Sequence, residues 1–223
     1  MPLSREEVGK GLTVELENFE RLVRSLSPEE FQRRSRCEGW SVADVAAHMI
    51  GTMADITQGR IEGQGTPEVT NRQVDERRGR TAEELADELR QAGEIAPGLL
   101  ATFDDDAWAG PSPGGYDFTL GEAVEALWYD AYVHADDIRA AIGRKSEGGD
   151  GLKASVSHVA DLLTRKGWGP ATLALDGLPE FRIGVGNGDG HRIEGDALSF
   201  VLAATGRAEP GTLGLTADVN VYA

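Results

Sequence analysis

Residues 119–143 read TLGEAVEALWYDAYVHADDIRAAIG, and this stretch decides the fold. Thr119 followed three positions later by Glu122 is a capping box. The hydroxyl accepts from an otherwise orphaned amide, and the acid also complements the positive end of the helix dipole. Behind the box, Ala123, Leu127, Ala131 and Ile138 recur at helical spacing and form one apolar stripe. A helix with one apolar stripe must bury it against other elements.

Working outward, three further segments repeat the device. Ser4-Arg5-Glu6-Glu7 precedes Val8, Leu12, Leu16, Phe19, Val23 and Leu26. Ser41-Val42-Ala43-Asp44 precedes Val45, Met49, Met53 and Ile56, and Thr81-Ala82-Glu83-Glu84 precedes Leu85, Leu89, Ala92, Ile95 and Leu99. A shorter start is Ser27-Pro28-Glu29-Glu30, with proline at the first helical position. The pattern predicts a four-helix bundle over residues 1–147. Its linkers carry the breakers, Gly63-Gln64-Gly65-Thr66-Pro67 and Gly110-Pro111-Ser112-Pro113-Gly114-Gly115. The first leaves roughly 15 residues before the cap at Thr81, a length that in compact domains is often functional.

Gly148-Gly149-Asp150-Gly151 marks a boundary, and residues 148–223 read as a small α+β domain packed against the bundle. Leu152 to Arg165 is helical in pattern. The period then falls to two at Ala171–Leu175, Phe181–Val185 and His191–Glu194, with a glycine-rich hairpin loop at 184–190. Ala197 to Thr205 returns to a helix ended by Gly206, and Asp218–Tyr222 reads as a last strand. The expected class is therefore mainly α, an N-terminal bundle followed by a small α+β domain.

The 223 residues carry 22 Lys+Arg against 38 Asp+Glu, a net charge of −16. Nucleic acid and anionic membrane surfaces would repel such a chain, so neither is expected as a partner. No apolar run approaches the ~18 residues of a membrane span. The start, Met1 to Glu7, has no secretory character, and the single cysteine, Cys37, forbids an internal disulfide. A cytoplasmic protein is expected.

Four histidines are present, and His48 and His134 lie on the second and fourth long helices. Asp130 and His134 stand at i and i+4 and share a face. The pair can make a simple surface hydrogen bond or grip a cation from one side. His48 can be a buried, hydrogen-bonded core histidine, or it can supply the second nitrogen. Two nitrogens and one carboxylate form a three-ligand set that leaves positions open on a divalent metal, be it zinc, iron or nickel.

The segment Cys37-Glu38-Gly39-Trp40-Ser41-Val42-Ala43-Asp44-Val45-Ala46-Ala47-His48 resembles a signature of the mycothiol-dependent maleylpyruvate isomerase family, whose N-terminal part is a DinB-like bundle. Asp130–Gly143 resembles the second signature, and Gly195–Arg207 the family's ending helix with its Gly-Arg terminus. The three segments occur in the family's order along nearly the whole chain.

The resemblance implies a divalent metal, zinc foremost, held by His48, Asp130 and His134. Asp130 stands where the family has Glu, so the carboxylate reaches about 1.5 Å less. Asp137 falls on a position that either orients an imidazole or makes a plain helix contact, and we take the second. Arg207 matches an arginine that assists catalysis, against the alternative of a helix-dipole contact. Cys37 takes a structural place. Tyr129 and Tyr132 flank the ligands and are expected to line a cofactor pocket, while Trp40 and Trp128 read as core. The implied partners are a small electrophilic substrate and a low-molecular-weight thiol, mycothiol, activated as thiolate for transfer or isomerisation. Competing readings are a metal-dependent hydrolase and a non-catalytic binding or stress protein with the same bundle.

Overall fold

The computed structural model describes residues 3–114, 117–146, 148–184 and 190–223. The chain divides into two compact units, one of Ser4–Glu147 and one of Gly148–Ala223 together with Leu3.

In the first unit every expected capping box is formed. Ser4, Ser27, Ser41, Thr81 and Thr119 each accept from the amide three residues on, and the acid there accepts from the cap backbone. They open α1 (Arg5–Arg24), α2 (Pro28–Phe31), α3 (Val42–Thr57), α5 (Ala82–Ala101) and α7 (Leu120–Ala141). The four long helices close into a ring: α1 packs on α5 and α7, and α3 packs on the same two. Leu12, Phe19, Val45, Met49, Leu85, Leu89, Trp128 and Ile138 are buried at its centre. Each such side chain contributes about 1.5–3 kcal/mol by leaving water.

Two stripes differ in detail from the expected ones. On α5 the buried positions are Leu85, Ala86, Leu89, Ala92 and Ala96, while Ile95 is exposed. At 100° per residue these fall within an arc of about 120°, and Ile95 lies about 60° beyond its edge. On α7 the core face follows Val124, Trp128, Ala131, Ala135 and Ile138, and Ala123 and Leu127 sit at its margin.

The two glycine-rich linkers hold more structure than expected. Thr66 caps α4 (Pro67–Asp75), accepting from the Val69 amide, with Pro67 at the first turn. Asp104 caps the short α6 (Asp105–Ala109). Helix α4 packs on α3, and Gly51 is what lets it approach. A β-carbon at Gly51 would lie 2.6 Å from Gln73 Cβ and 2.9 Å from Arg77 Nη1.

In the second unit α8 (Asp150–Arg165) leads into a three-stranded sheet, β1 (Ala171–Leu175), β2 (Phe181–Ile183) and β3 (His191–Gly195). Strand β1 is central, antiparallel to β2 with Leu173 opposite Phe181, and parallel to β3 with Leu173 opposite Ile193. Ala171, Leu173 and Leu175 face inward on its alternation. Helix α9 (Ala197–Ala204) packs on α8 and ends at Gly206, in the left-handed region at φ +70°. The hairpin loop expected at 184–190 is corrected, since the segment joins β2 to β3, which lie on opposite sides of β1 and do not pair; residues 185–189 lie outside the described residues.

The expected strand at Asp218–Tyr222 is not formed. Residues Ala217–Val219 make a 3-10 turn that buries Val219, and the Val221 amide caps the end of α9 at the Ala204 carbonyl, 2.8 Å away. Lys166 Nζ holds the Asn220 and Ala223 carbonyls at 2.7 and 2.8 Å. The alternating Val219 and Val221 thus serve a helix terminus instead of a sheet edge.

Gly51→Ala should destabilise the fold by about 1–3 kcal/mol, because α4 must move off α3. Gly93→Ala on α5, where a β-carbon meets open space, should be neutral or stabilising by up to ~1 kcal/mol. Urea denaturation of both variants checks the contrast.

Candidate metal centre

Capping at Ser41 and Thr119 fixes where α3 and α7 begin, and so which faces they turn to each other. Two turns into α3, His48 meets the face of α7 that carries Asp130, His134 and Asp137 at i, i+4 and i+7. The imidazoles of His48 and His134 stand edge to face, their centroids 5.2 Å apart at 86°. Between them lies Asp130. Its Oδ2 is 3.7 Å from His48 Nε2, and its Oδ1 is 3.3 Å from His134 Nε2. One donor atom from each of the three residues lies within 4.8 Å of the others.

Each ring is held from behind. His134 Nδ1 is 2.8 Å from Asp137 Oδ2, and His48 Nδ1 is 3.0 Å from Gln73 Oε1. Both partners accept, so each Nδ1 carries a proton and donates, and the Nε2 atoms face the common point, where a bound cation would displace any proton they carry. Asp137 is itself anchored: Arg36 Nε donates to Oδ1 at 2.5 Å, and the Cys37 thiol donates to Oδ2 at 3.2 Å. Trp40 lies against His48 with ring centroids 5.3 Å apart. The turn Cys37–Trp40, closed by the Trp40 amide on the Cys37 carbonyl, places both residues there.

The charges follow from the geometry. Burial works against the His134 cation, yet the carboxylate of Asp130 and hydrogen bonding with Asp130, Asp137 and Cys37 hold its pKa well above the ordinary imidazole value. Burial alone would raise Asp130, but His134 and His48 hold it well below the ordinary carboxylate value. The site is a preformed negative oxygen flanked by two directed nitrogens.

A divalent cation fits this set. Bonds of about 2.0–2.1 Å in tetrahedral geometry separate two donors by about 3.3 Å, and here each Nε2 stands 3.3 or 3.7 Å from one of the two Asp130 oxygens, with one donor from each residue within 4.8 Å of the others. The short carboxylate of Asp130 reaches because α7 and α3 bring both nitrogens to it. His48 and His134 side chains are 11% and 9% exposed, whereas Asp130 keeps 31%, so the approach to the common point lies on the carboxylate side.

The structure therefore brings together His48, Asp130 and His134. It corrects the plain helix contact expected of Asp137, which instead orients an imidazole across one helical turn. It also corrects Trp40, which is half-buried against a site imidazole, while Trp128 is core as expected. Tyr129 and Tyr132 are buried on α7 next to Asp130 in sequence. Arg207 belongs to the second unit. It is half-buried after α9 and lines a cavity of about 360 Å³ with Glu209, Pro210, Ala217 and Asn220. A separate cavity of about 680 Å³ on the bundle, lined by Phe31, Asp44, Arg77 and Arg80 among others, includes none of the three donors. Gln73 was missed because glutamine is not titratable and its helix lies in an apparent linker. Only the length of that linker hinted at it.

These features define the class: a helical bundle with a buried two-histidine, one-carboxylate centre. A sequence model described as the mycothiol maleylpyruvate isomerase N-terminal domain matches residues 12–139, and the chain belongs to that family. Among solved structures, a mycothiol-dependent maleylpyruvate isomerase aligns with TM-score 0.68 and 17% identity over 96% of this chain and 95% of that one. A histidine-to-alanine mutant of a mycothiol-dependent maleylpyruvate isomerase aligns with TM-score 0.65 and 18% identity over the same shares. At such identities these likenesses show the fold. No curated protein matches the chain. Among the described residues, no helix is long and apolar enough to cross a membrane.

Asp130→Asn in the metal-free protein removes the leading charge that lifts His134, so burial then dominates. NMR titration of the His134 ring should show its pKa falling from well above 6.5 to that value or lower. An unchanged titration would mean Asp130 does not set it.

Proposed function

We propose that this chain is a metal- and mycothiol-dependent isomerase or thiol S-transferase acting on a small electrophilic substrate. The convergence of His48 Nε2, His134 Nε2 and the Asp130 carboxylate on one point, with each Nδ1 engaged behind it, carries the reading. Membership of the family supports an enzyme over a non-catalytic bundle, and mycothiol over water as the activated group.

His48, Asp130 and His134 would hold a divalent cation, and zinc suits two nitrogens and one oxygen at this spacing. Bound there, the cation would supply the Lewis acidity that favours the thiolate of mycothiol at neutral pH. The chain's own residues do the rest. Asp137 and Gln73 keep the imidazole protons on Nδ1, away from the reacting face. Asp130 supplies a negative charge that holds the two nitrogens' cation in place and leaves an open side. Tyr129 and Tyr132 are assigned to the walls around the thiol.

Addition of sulfur to one carbon of a conjugated double bond turns that bond into a rotatable single bond. Expulsion of the same sulfur restores the double bond in the other geometry, with no net oxidation. Where a leaving group departs instead, the product is a thioether and the reaction is transfer. Arg207 is assigned to a substrate carboxylate, which a guanidinium fork binds in bidentate fashion.

Elemental analysis should find about one zinc per chain, lost in His48→Ala, in keeping with a three-ligand site. Calorimetric titration with mycothiol should give heat with the loaded protein and none after chelation or in the variant. Full mycothiol binding to the stripped protein would overturn the reading, and metal without thiol binding would favour the hydrolase. With maleylpyruvate as probe, Arg207→Lys should raise KM by about tenfold, since charge remains but the fork is lost. An unchanged KM removes Arg207 from substrate binding.

A further inference from the structure

The face of α3 below His48 carries Thr52 and Asp55, and both point into a buried polar cluster with Gln64 and Gln73. Asp55 and Gln73 are fully buried, and Thr52 and Gln64 nearly so. Gln73 makes four contacts there. Its Nε2 is 3.0 Å from Asp55 Oδ2 and 2.9 Å from Gln64 Oε1. Its Oε1 is 3.0 Å from His48 Nδ1 and 3.3 Å from Thr52 Oγ1.

This pattern has one consistent direction. An amide can be turned end for end at little steric cost, so what fixes it is its partners. A carboxylate only accepts. Asp55 therefore demands an N–H from Gln73, and turning the amide would set oxygen against oxygen between two fully buried side chains. Gln64 Oε1 adds a second acceptor on the same side; its own amide is fixed by donating to Asp55 Oδ2 at 3.2 Å and to the Arg60 carbonyl at 2.9 Å. The Gln73 oxygen must then face His48, where Thr52 supplies a compatible hydroxyl. An oxygen facing Nδ1 admits only the tautomer with the proton on Nδ1.

Asp55 stays ionised in this role. Burial opposes its charge, but Arg72, Gln73, Gln64 and Arg60 more than offset that and lower its pKa. Arg72 Nη2 donates to Oδ2 at 2.6 Å, and the Arg60 guanidinium lies 2.5 Å from Oδ1. Gly51 completes the arrangement, because its missing β-carbon is what admits Gln73 to the α3 face.

We propose that Asp55, acting through Gln73, is a positioning residue that sets the tautomer of His48 and so turns its Nε2 lone pair to the three-donor centre. This rests on the metal reading for its purpose but not for its observable. Long-range proton–nitrogen NMR correlations on the full, metal-free chain at about pH 8.5, above the ordinary imidazole pKa, report the His48 tautomer directly. The resonance is assigned with His48→Gln.

Wild type should show His48 protonated on Nδ1 almost alone. Asp55→Asn keeps the shape but adds a donor that tolerates a turned Gln73, so a mixture of tautomers should appear. Zinc affinity, measured by competition with a chromophoric chelator, should fall by about tenfold or more. Arg60→Gln removes an ion pair to Asp55 while leaving the Gln73 bond, so it should lower Tm with the tautomer unmoved. Gln73→Met, which has no amide to turn, should lose the bias whatever Asp55 does, and it serves if Asp55→Asn fails to fold. A wild-type His48 protonated on Nε2 overturns the proposal. So does an unshifted tautomer in whichever of the Asp55→Asn and Gln73→Met variants folds. A tautomer that shifts in a chain with no zinc affinity would uphold the relay and refute the metal reading, so the two fail separately.

Discussion

A buried imidazole has two nitrogens to satisfy, and the first unit is arranged around doing so twice. For His48 and His134 one nitrogen is bonded to an acceptor supplied by the chain, and the other is left for Asp130 and whatever shares its position. A single unsupported histidine would be free to turn or to change tautomer. With Gln73 and Asp137 behind them, both rings present Nε2 in a fixed direction. The bundle supplies the remaining constraint, an α3-to-α7 distance at which an aspartate carboxylate reaches both rings.

The two supports are built differently, which bears on how each ring behaves. Asp137 is a charged acceptor on the same helix as His134, one turn away, and is anchored by Arg36 and Cys37 from the segment preceding α3. It strengthens the basicity of the ring it holds. Gln73 is neutral and comes from α4, outside the ring of long helices, so it fixes direction without adding charge. Asp137 and Asp130 thus strengthen the pull of His134 on a proton, while the direction of the His48 ring depends on the packing of α4. Gly51 sits at the hinge of that dependence, since the approach of α4 requires its bare backbone.

Much of this was legible in the sequence because it is written in short-range code. Capping boxes at Ser4, Ser27, Ser41, Thr81 and Thr119 mark helix starts by local hydrogen bonding alone, and every one is formed. The i, i+4 relation of Asp130 and His134 is likewise a property of one helix. What stayed hidden depends on tertiary placement. Gln73 becomes meaningful only once α4 lies on α3, and the role of Asp137 only once Arg36 and Cys37 reach it from 100 residues away. The terminal Val219 and Val221 alternate like a strand, yet the open carbonyls at the end of α9 and the amine of Lys166 offered their backbone better partners.

The short carboxylate of Asp130 shows how such placement can make up for limited reach. An aspartate carries its oxygens about one bond length less far from the α7 backbone than a glutamate would. A flexible site would leave them stranded. Here both oxygens are engaged, one toward each imidazole, and the rings cannot retreat because their far nitrogens are tied down. The load of holding three donors together is thereby moved from the length of one side chain to the outer contacts of two others. That makes Gln73, Asp137 and the residues behind them as much a part of the centre's geometry as the donors that face it.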